Sequence, residues 1–264
     1  MSFSADPIPK PNPDVMMQAN QSGQEWNVAL SVQPDVFSGC AGPAGGTVCL
    51  TPFDDSKRVA VPFTLPNGFP AVTNFIKVDD GYIVAADEGE YGGGGIFFFG
   101  EAGQGCVEIT RQNCCGLTWL GGRPYAIVGM NAESGAMFGS ILRLDREAHN
   151  RWNLALVADL QEGPYCFANE SSESVLILTT YTLQRYTATP TGEGRLERLQ
   201  THDFRFLFPN SMVLSAAENG SLYVGMRAFV VRLARDYTES NGFREEWFVP
   251  RQAAPGGPQP FGRA

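Results

Sequence analysis

Short apolar runs recur in groups of four along this chain, and their period constrains the fold more than any single residue does. In the third run of each group, the segments TVCL, IFFF, ILRL, LQRY and VVRL place Cys49, Phe98, Arg143, Arg185 and Arg232 in one register, at spacings between 42 and 49 residues. A drift of a few residues about a fixed period is what varying loop length leaves in a repeat protein. The first group occupies 26–32, 36–41, 46–51 and 58–64, and the second 72–78, 81–86, 95–100 and 106–110. The third takes 116–120, 125–130, 140–145 and 152–158, the fourth 165–169, 174–179, 181–187 and 196–200, and the fifth 211–216, 221–226, 229–234 and 245–249. Each run is short and rich in β-branched and aromatic residues, which predicts strands. Asp79-Asp80-Gly81, Gly121-Gly122 and Asn219-Gly220 all fall between a first and a second run, where a tight antiparallel turn needs residues that accept positive φ. The 30 Gly and 18 Pro supply the many turns that such strands require.

Four antiparallel strands repeated every ~40–50 residues resemble the blades of the β-propeller superfamily. The resemblance implies an all-β chain, a single β-propeller of five four-stranded blades over residues 25–250. An extended Pro-rich arm at 1–24 and a disordered tail at 251–264 would flank it, since Pro7, Pro9, Pro11 and Pro13 fix extended backbone and remove donors. Neither a WD dipeptide at blade ends nor a kelch double glycine is held through the units, so no specific propeller family is indicated. A β-sandwich or two small β domains would also show short strands, but a sandwich would not keep the third-run register. Two routes to ring closure are open. The arm can add a strand to the last blade, or 26–32, whose text WNVALSV resembles WNLALVA at 152–158, can itself be an outer strand. Arg143, Arg185 and Arg232 are expected to pin neighbouring blades through acids or backbone carbonyls.

In a propeller the loops from second to third strand open on the same face as the links between blades, and ligands usually bind there. The two longest such loops, 87–94 and 131–138, come from adjacent groups. They bring Asp87, Glu88, Glu90, Tyr91, Asn131 and Glu133 toward one rim, joined by Arg111, Asn113 and the 203–210 connection with Asp203, Phe204 and Phe206. In that connection Phe204, Phe206 and Phe208 alternate with Arg205 and Leu207. The pattern fits either a strand packing inward or an aromatic patch for a partner.

A net charge of −9 with a pI near 4.8 argues against nucleic acid or an anionic membrane as partner and permits a basic protein. The N-terminus has no basic region followed by an apolar run, and no stretch approaches about 18 apolar residues, so a cytoplasmic protein with reduced cysteines is expected. No cofactor, metal or catalytic residue is assigned. The glycines at 92–95 lead no helix and follow three carboxylates, so they do not form a phosphate loop. Cys114 and Cys115 alternate faces of a strand and cannot easily share a metal; one is expected in the core and one partly exposed. Cys40 and Cys49 fall on facing runs of one hairpin, as two small buried residues. His149 and His202 are the only histidines, and His202-Asp203 has no nucleophile motif near it.

The expectation is therefore a non-enzymatic binding module for a protein, in one version an inhibitor or immunity-type protein that caps a basic effector. Three other readings stand beside it. One is a carbohydrate-binding propeller that stacks sugars on Tyr91, Trp119 and the 204–208 segment. The others are a metal-assisted hydrolase of lactonase or glycosidase type, and a structural subunit of a larger particle.

Overall fold

The computed structural model describes residues 5–22, 26–31, 47–52, 59–87, 94–101, 103–131, 137–148, 151–190, 194–204, 207–215, 219–236, 238 and 242–250. In chain order these form β1 (Ala5–Ile8), α1 (Pro13–Ser22), β2 (Trp26–Ser31), β3 (Thr47–Pro52), β4 (Ala71–Val78), β5 (Gly81–Asp87), β6 (Gly95–Gly100) and β7 (Val107–Thr110). They continue with β8 (Cys114–Leu120), β9 (Arg123–Asn131), β10 (Met137–Ala148), β11 (Arg151–Asp159), β12 (Pro164–Asn169) and β13 (Ser174–Thr179). The last are β14 (Thr182–Ala188), β15 (Gly194–Thr201), β16 (Ser211–Ser215), β17 (Ser221–Gly225), β18 (Val230–Arg235) and β19 (Phe243–Pro250).

Consecutive strands pair antiparallel into sheets β4–β7, β8–β11, β12–β15 and β16–β19, with a two-stranded sheet β2–β3 among the described residues. The inner strands stand side by side in the order β4, β8, β12, β16, β2. This is an all-β propeller.

The sequence dictates it through two-sided burial. Every residue of β13, SVLILT, is buried. Val175 and Ile177 join a core with Tyr125 and Ile127 of the preceding sheet, while Leu176 and Leu178 join another with Leu222 and Val224 of the following one. Alternate residues of a strand face opposite sides, so a sheet covered on both faces needs a continuous apolar run. The same layering sets Ile76, Ile83 and Phe98 against Leu117, Ala126 and Leu142.

The register of the third runs holds in four sheets. Phe98, Arg143, Arg185 and Arg232 each lie opposite the third residue of the strand before, namely Ile83, Tyr125, Leu176 and Tyr223. Cys49 departs from it, because β3 pairs directly with β2 and sets Cys49 against Ala29. The run at 36–41, with Cys40, lies outside the described residues. The described part of 58–64 is no strand: Pro62, Pro66 and Pro70 remove ladder donors at every fourth position. Val61, Phe63, Leu65 and Phe69 instead cover Val72, Val84 and Phe99 of the second sheet.

The arm is not extended throughout. Its strand β1 pairs along the outer edge of β19, with Ile8 opposite Trp247, so the N-terminus adds a fifth strand to the last sheet. Residues 13–22 are helical. Asn12 Oδ1 accepts the Val15 N–H at 2.9 Å, and Pro13 occupies the first helical position, where its missing donor costs nothing. Met16 is buried in the core of the last sheets. The segment 26–32 does not act as an outer strand, since β2 lies beside the inner strand β16. No helix among the described residues is long and apolar enough to cross a membrane.

Gly81, at the start of β5, faces a backbone that leaves no room for a side chain. A Cβ there would stand 2.0 Å from the Phe99 carbonyl oxygen. Gly81→Ala is therefore expected to lower stability by roughly 1–3 kcal/mol, read as a lower urea midpoint.

Candidate functional site

The strand registers sort the loops to two ends of the sheets. The predicted rim belongs to the end with the second-to-third loops and the links between sheets. There Asp87 and Asn131 are the last residues of β5 and β9, strands of adjacent sheets. Glu88, Glu90, Tyr91, Glu133 and Phe206 lie outside the described residues. Arg111 is exposed and donates from Nε to Glu108 Oε2 at 2.9 Å. The Asn113 carbonyl accepts the Gly129 N–H at 2.9 Å, and Asp203 is exposed.

Phe204 is not a rim residue. It is fully buried, edge-on to Trp247 at 5.6 Å and stacked on His202 at 4.3 Å. Leu207 is buried with it, while Phe208 is half-buried with the Arg227 guanidinium 4.6 Å from its ring. Phe204 and Leu207 turn inward and join the core between the fourth and fifth sheets.

At the same end, Glu162 on the link before β12 is buried and accepts the Tyr181 N–H and the Thr182 hydroxyl, each at 3.0 Å. These bonds fix that link to the next sheet's β13–β14 turn. The His202 N–H donates to the Tyr181 carbonyl at 2.9 Å, and its Nδ1 accepts the Phe204 N–H at 3.2 Å. Burial lowers the His202 pKa from 6.5 to about 4, against the pull of nearby Glu245, Glu162 and Asp203. A neutral imidazole whose Nδ1 is engaged by backbone cannot pair with Asp203 as a catalytic base.

The depressed value has a stability consequence. Below 6.5 the unfolded chain binds a proton that the folded chain refuses until about pH 4, so stability should fall as pH drops through that window. His202→Gln should flatten the fall between pH 6.5 and pH 5 in urea midpoints; a decline as steep as in the parent would refute a buried neutral His202.

Cys114 and Cys115 are both half-buried, so both rather than one are partly exposed. Their thiols point to the Gly116 and Tyr165 carbonyls, each at 3.3 Å. Burial pushes Cys115 up to about 12 and also raises Cys114 and the fully enclosed Cys166. These groups are protonated thiols at neutral pH and weak nucleophiles. Among the described residues, no group of three or more His, Cys, Asp or Glu could hold a metal ion.

The opposite end is held by arginines. Arg143 forks onto Asp145 at 2.7–2.9 Å, Arg185 onto Glu170 at 2.6 and 2.7 Å, and Arg232 reaches Glu246 at 3.2 Å. All three of these pairs lie within one sheet. Glu197 and Glu246 stand directly opposite Arg185 and Arg232 on the next strand, within reach of a mid-strand arginine, Glu197 at 3.5 Å. Arginines three residues later tie sheet to sheet. Arg235 Nη2 donates to Glu170 Oε1 at 2.6 Å, joining the fifth sheet to the fourth, and Arg146 pairs with Asp80, joining the third to the second. The Gly121 N–H donates to the Ser172 carbonyl at 2.8 Å between the third and fourth.

Beside the Arg146–Asp80 pair, a cleft of about 450 Å³ opens between the second and third sheets. Asp79 and Asp80 form one lip, and Trp119, Arg123, Asp145 and Trp152 line the rest. The Arg146 guanidinium carbon stands 4.8 Å from the Phe98 ring centre and 5.0 Å from that of Trp152. Arg123 is 3.7 Å from Asp145. Asp79 is exposed and unpaired among the described residues. Sequence reasoning placed Trp119 with sugar stacking and overlooked Trp152, Asp145 and Arg146. No contiguous motif joins them, because they come from β8, β10, β11 and a turn.

No known protein family matches the sequence, and no characterised protein does. Among solved structures, the chain is similar to selenomethionine-substituted virginiamycin B lyase from Staphylococcus aureus, with 13% identity and a TM-score of 0.40 over 66% of this chain and 54% of that one. The chain thus spans about half of that protein's length. A catalytically inactive form of the same lyase with quinupristin matches at 13% identity and a TM-score of 0.42, over 92% and 73%. A streptogramin B lyase structure matches at 13% and 0.36, over 96% and 89%. At these identities and scores, no residue role passes from those proteins to this chain.

Proposed function

We propose that the chain is a non-enzymatic binding module whose partner is a protein with a basic surface. What supports this is the cleft between the second and third sheets, lined by Asp79, unpaired among the described residues, and by two indoles, in a chain of net charge −9. Indole faces and carboxylates together favour a cationic side chain, and the negative field of the whole chain draws a basic partner in. Asp80 is taken by Arg146 and Asp145 is shared by Arg143 and Arg123, so Asp79 is left as the acceptor for an incoming cation. In its most specific form, this is an inhibitor or immunity-type protein that caps a basic effector.

The test compares proteins of the native host retained on the immobilised parent chain and on an Asp79→Lys, Trp119→Ala variant. The expected result is a basic protein held by the parent, released by salt, and lost with the variant. Identical retention by both chains would overturn the reading.

A further inference from the structure

We infer that the Asp79–Trp119–Trp152 cleft is a seat for an arginine side chain of the partner, selective against lysine. The inference rests on the basic-partner reading and narrows it to one chemistry.

The protein's own Arg146 shows what this corner of the fold does with a guanidinium. The group lies against the faces of Phe98 and Trp152 while both of its terminal nitrogens meet the Asp80 carboxylate. A flat cation, a flat aromatic wall and a two-oxygen acceptor are complementary in shape as well as charge. Asp79 presents a second carboxylate one residue earlier on the same turn, and Trp119 supplies an indole on the neighbouring inner strand. The cleft thus offers another aromatic wall and another acceptor beside the pair that Arg146 has taken.

The count of unpaired carboxylates fixes the number of guests. Asp80 is engaged by Arg146, and Asp145 is shared by Arg143 and Arg123, so Asp79 is the one carboxylate of the cleft without a cation partner among the described residues. That suits a single cation. An ammonium is compact and strongly hydrated, and here it would exchange its water for one carboxylate and a ring face. A guanidinium is weakly hydrated on its faces and keeps its in-plane donors for the carboxylate. A cleft of about 450 Å³ also exceeds the side chain itself, so the flanking backbone of a partner loop can enter with it.

The experiment titrates the parent chain with tetra-arginine and tetra-lysine peptides of equal length and charge, at about 0.15 M salt, where long-range attraction is screened. Tryptophan fluorescence reports binding. The arginine peptide should bind about tenfold more tightly than the lysine peptide, and Asp79→Asn and Trp119→Ala should each abolish that preference. Equal affinities, or a preference that survives both substitutions, would overturn the arginine seat while leaving a basic partner in place. If neither peptide binds and no basic protein is retained in the host experiment, the broader reading fails with it. A saturable response to methyl glycosides in place of the peptides would overturn the seat in favour of a carbohydrate site.

Discussion

Phe204→Ala is expected to cost about 3–5 kcal/mol of stability, the largest effect of any single substitution considered for this fold. The side chain has no exposed surface and fills the space among Trp247, His202, Leu207 and Met212. Removing the ring leaves a cavity between the fourth and fifth sheets that the stiff strands on either side cannot collapse to fill. It also strips His202 of the face on which it stacks. A phenylalanine at an exposed rim would change stability by less than about 0.5 kcal/mol, so a urea titration separates the two placements. A small effect would return Phe204 to the rim.

Glu170→Ala should follow, at about 2–4 kcal/mol, somewhat below the cost of breaking a fully buried pair. Its carboxylate is the shared acceptor for Arg185 of its own sheet and Arg235 of the next, with side-chain exposures of 17%, 22% and 24%. Alanine leaves two guanidiniums facing one another across the seam between sheets. Burial by itself would raise the Glu170 pKa, but the hydrogen bonds from Arg185 and Arg235 outweigh it and hold the group below its ordinary value of 4.5. The contribution is therefore fully present above that value and lost as pH falls through the lower, folded one. The difference between the parent and Glu170→Gln should shrink in acid; a difference constant down to pH 3 would mean that the ion pair is not what Glu170 contributes.

The repeat was legible because strands buried on both faces need a continuous apolar run, such as VLIL within SVLILT and LYV within SLYVG. Composition does not say which neighbour a short apolar run will pair with, so TVCL read as a third strand although it lies beside the first. The prolines at 62, 66 and 70 held the signal against a strand at 58–64. At the N-terminus, Asn12-Pro13 is a helix start as much as an extended pair, and what decides is Met16 reaching the core, a tertiary contact. Phe204 misled because alternating aromatics look alike on an exposed link and on one that crosses a core. The arginines kept their register, and each has an acid within its own sheet: Asp145 on the same strand, Glu170 on the β12–β13 turn and cross-strand Glu246. The cleft was beyond reach, because side chains from four elements meet there only once the second and third sheets are packed.

Hydrogen exchange of the chain, alone and with the basic protein it retains, is the most direct test of the central claim. The account predicts protection at the turn around Asp79 and Asp80, at 119–124 and at 145–152, with little change at Arg111, Asn113 and Asp203. Protection confined to those last residues and the links at their end of the sheets would contradict it, placing the binding surface on the opposite end of the propeller.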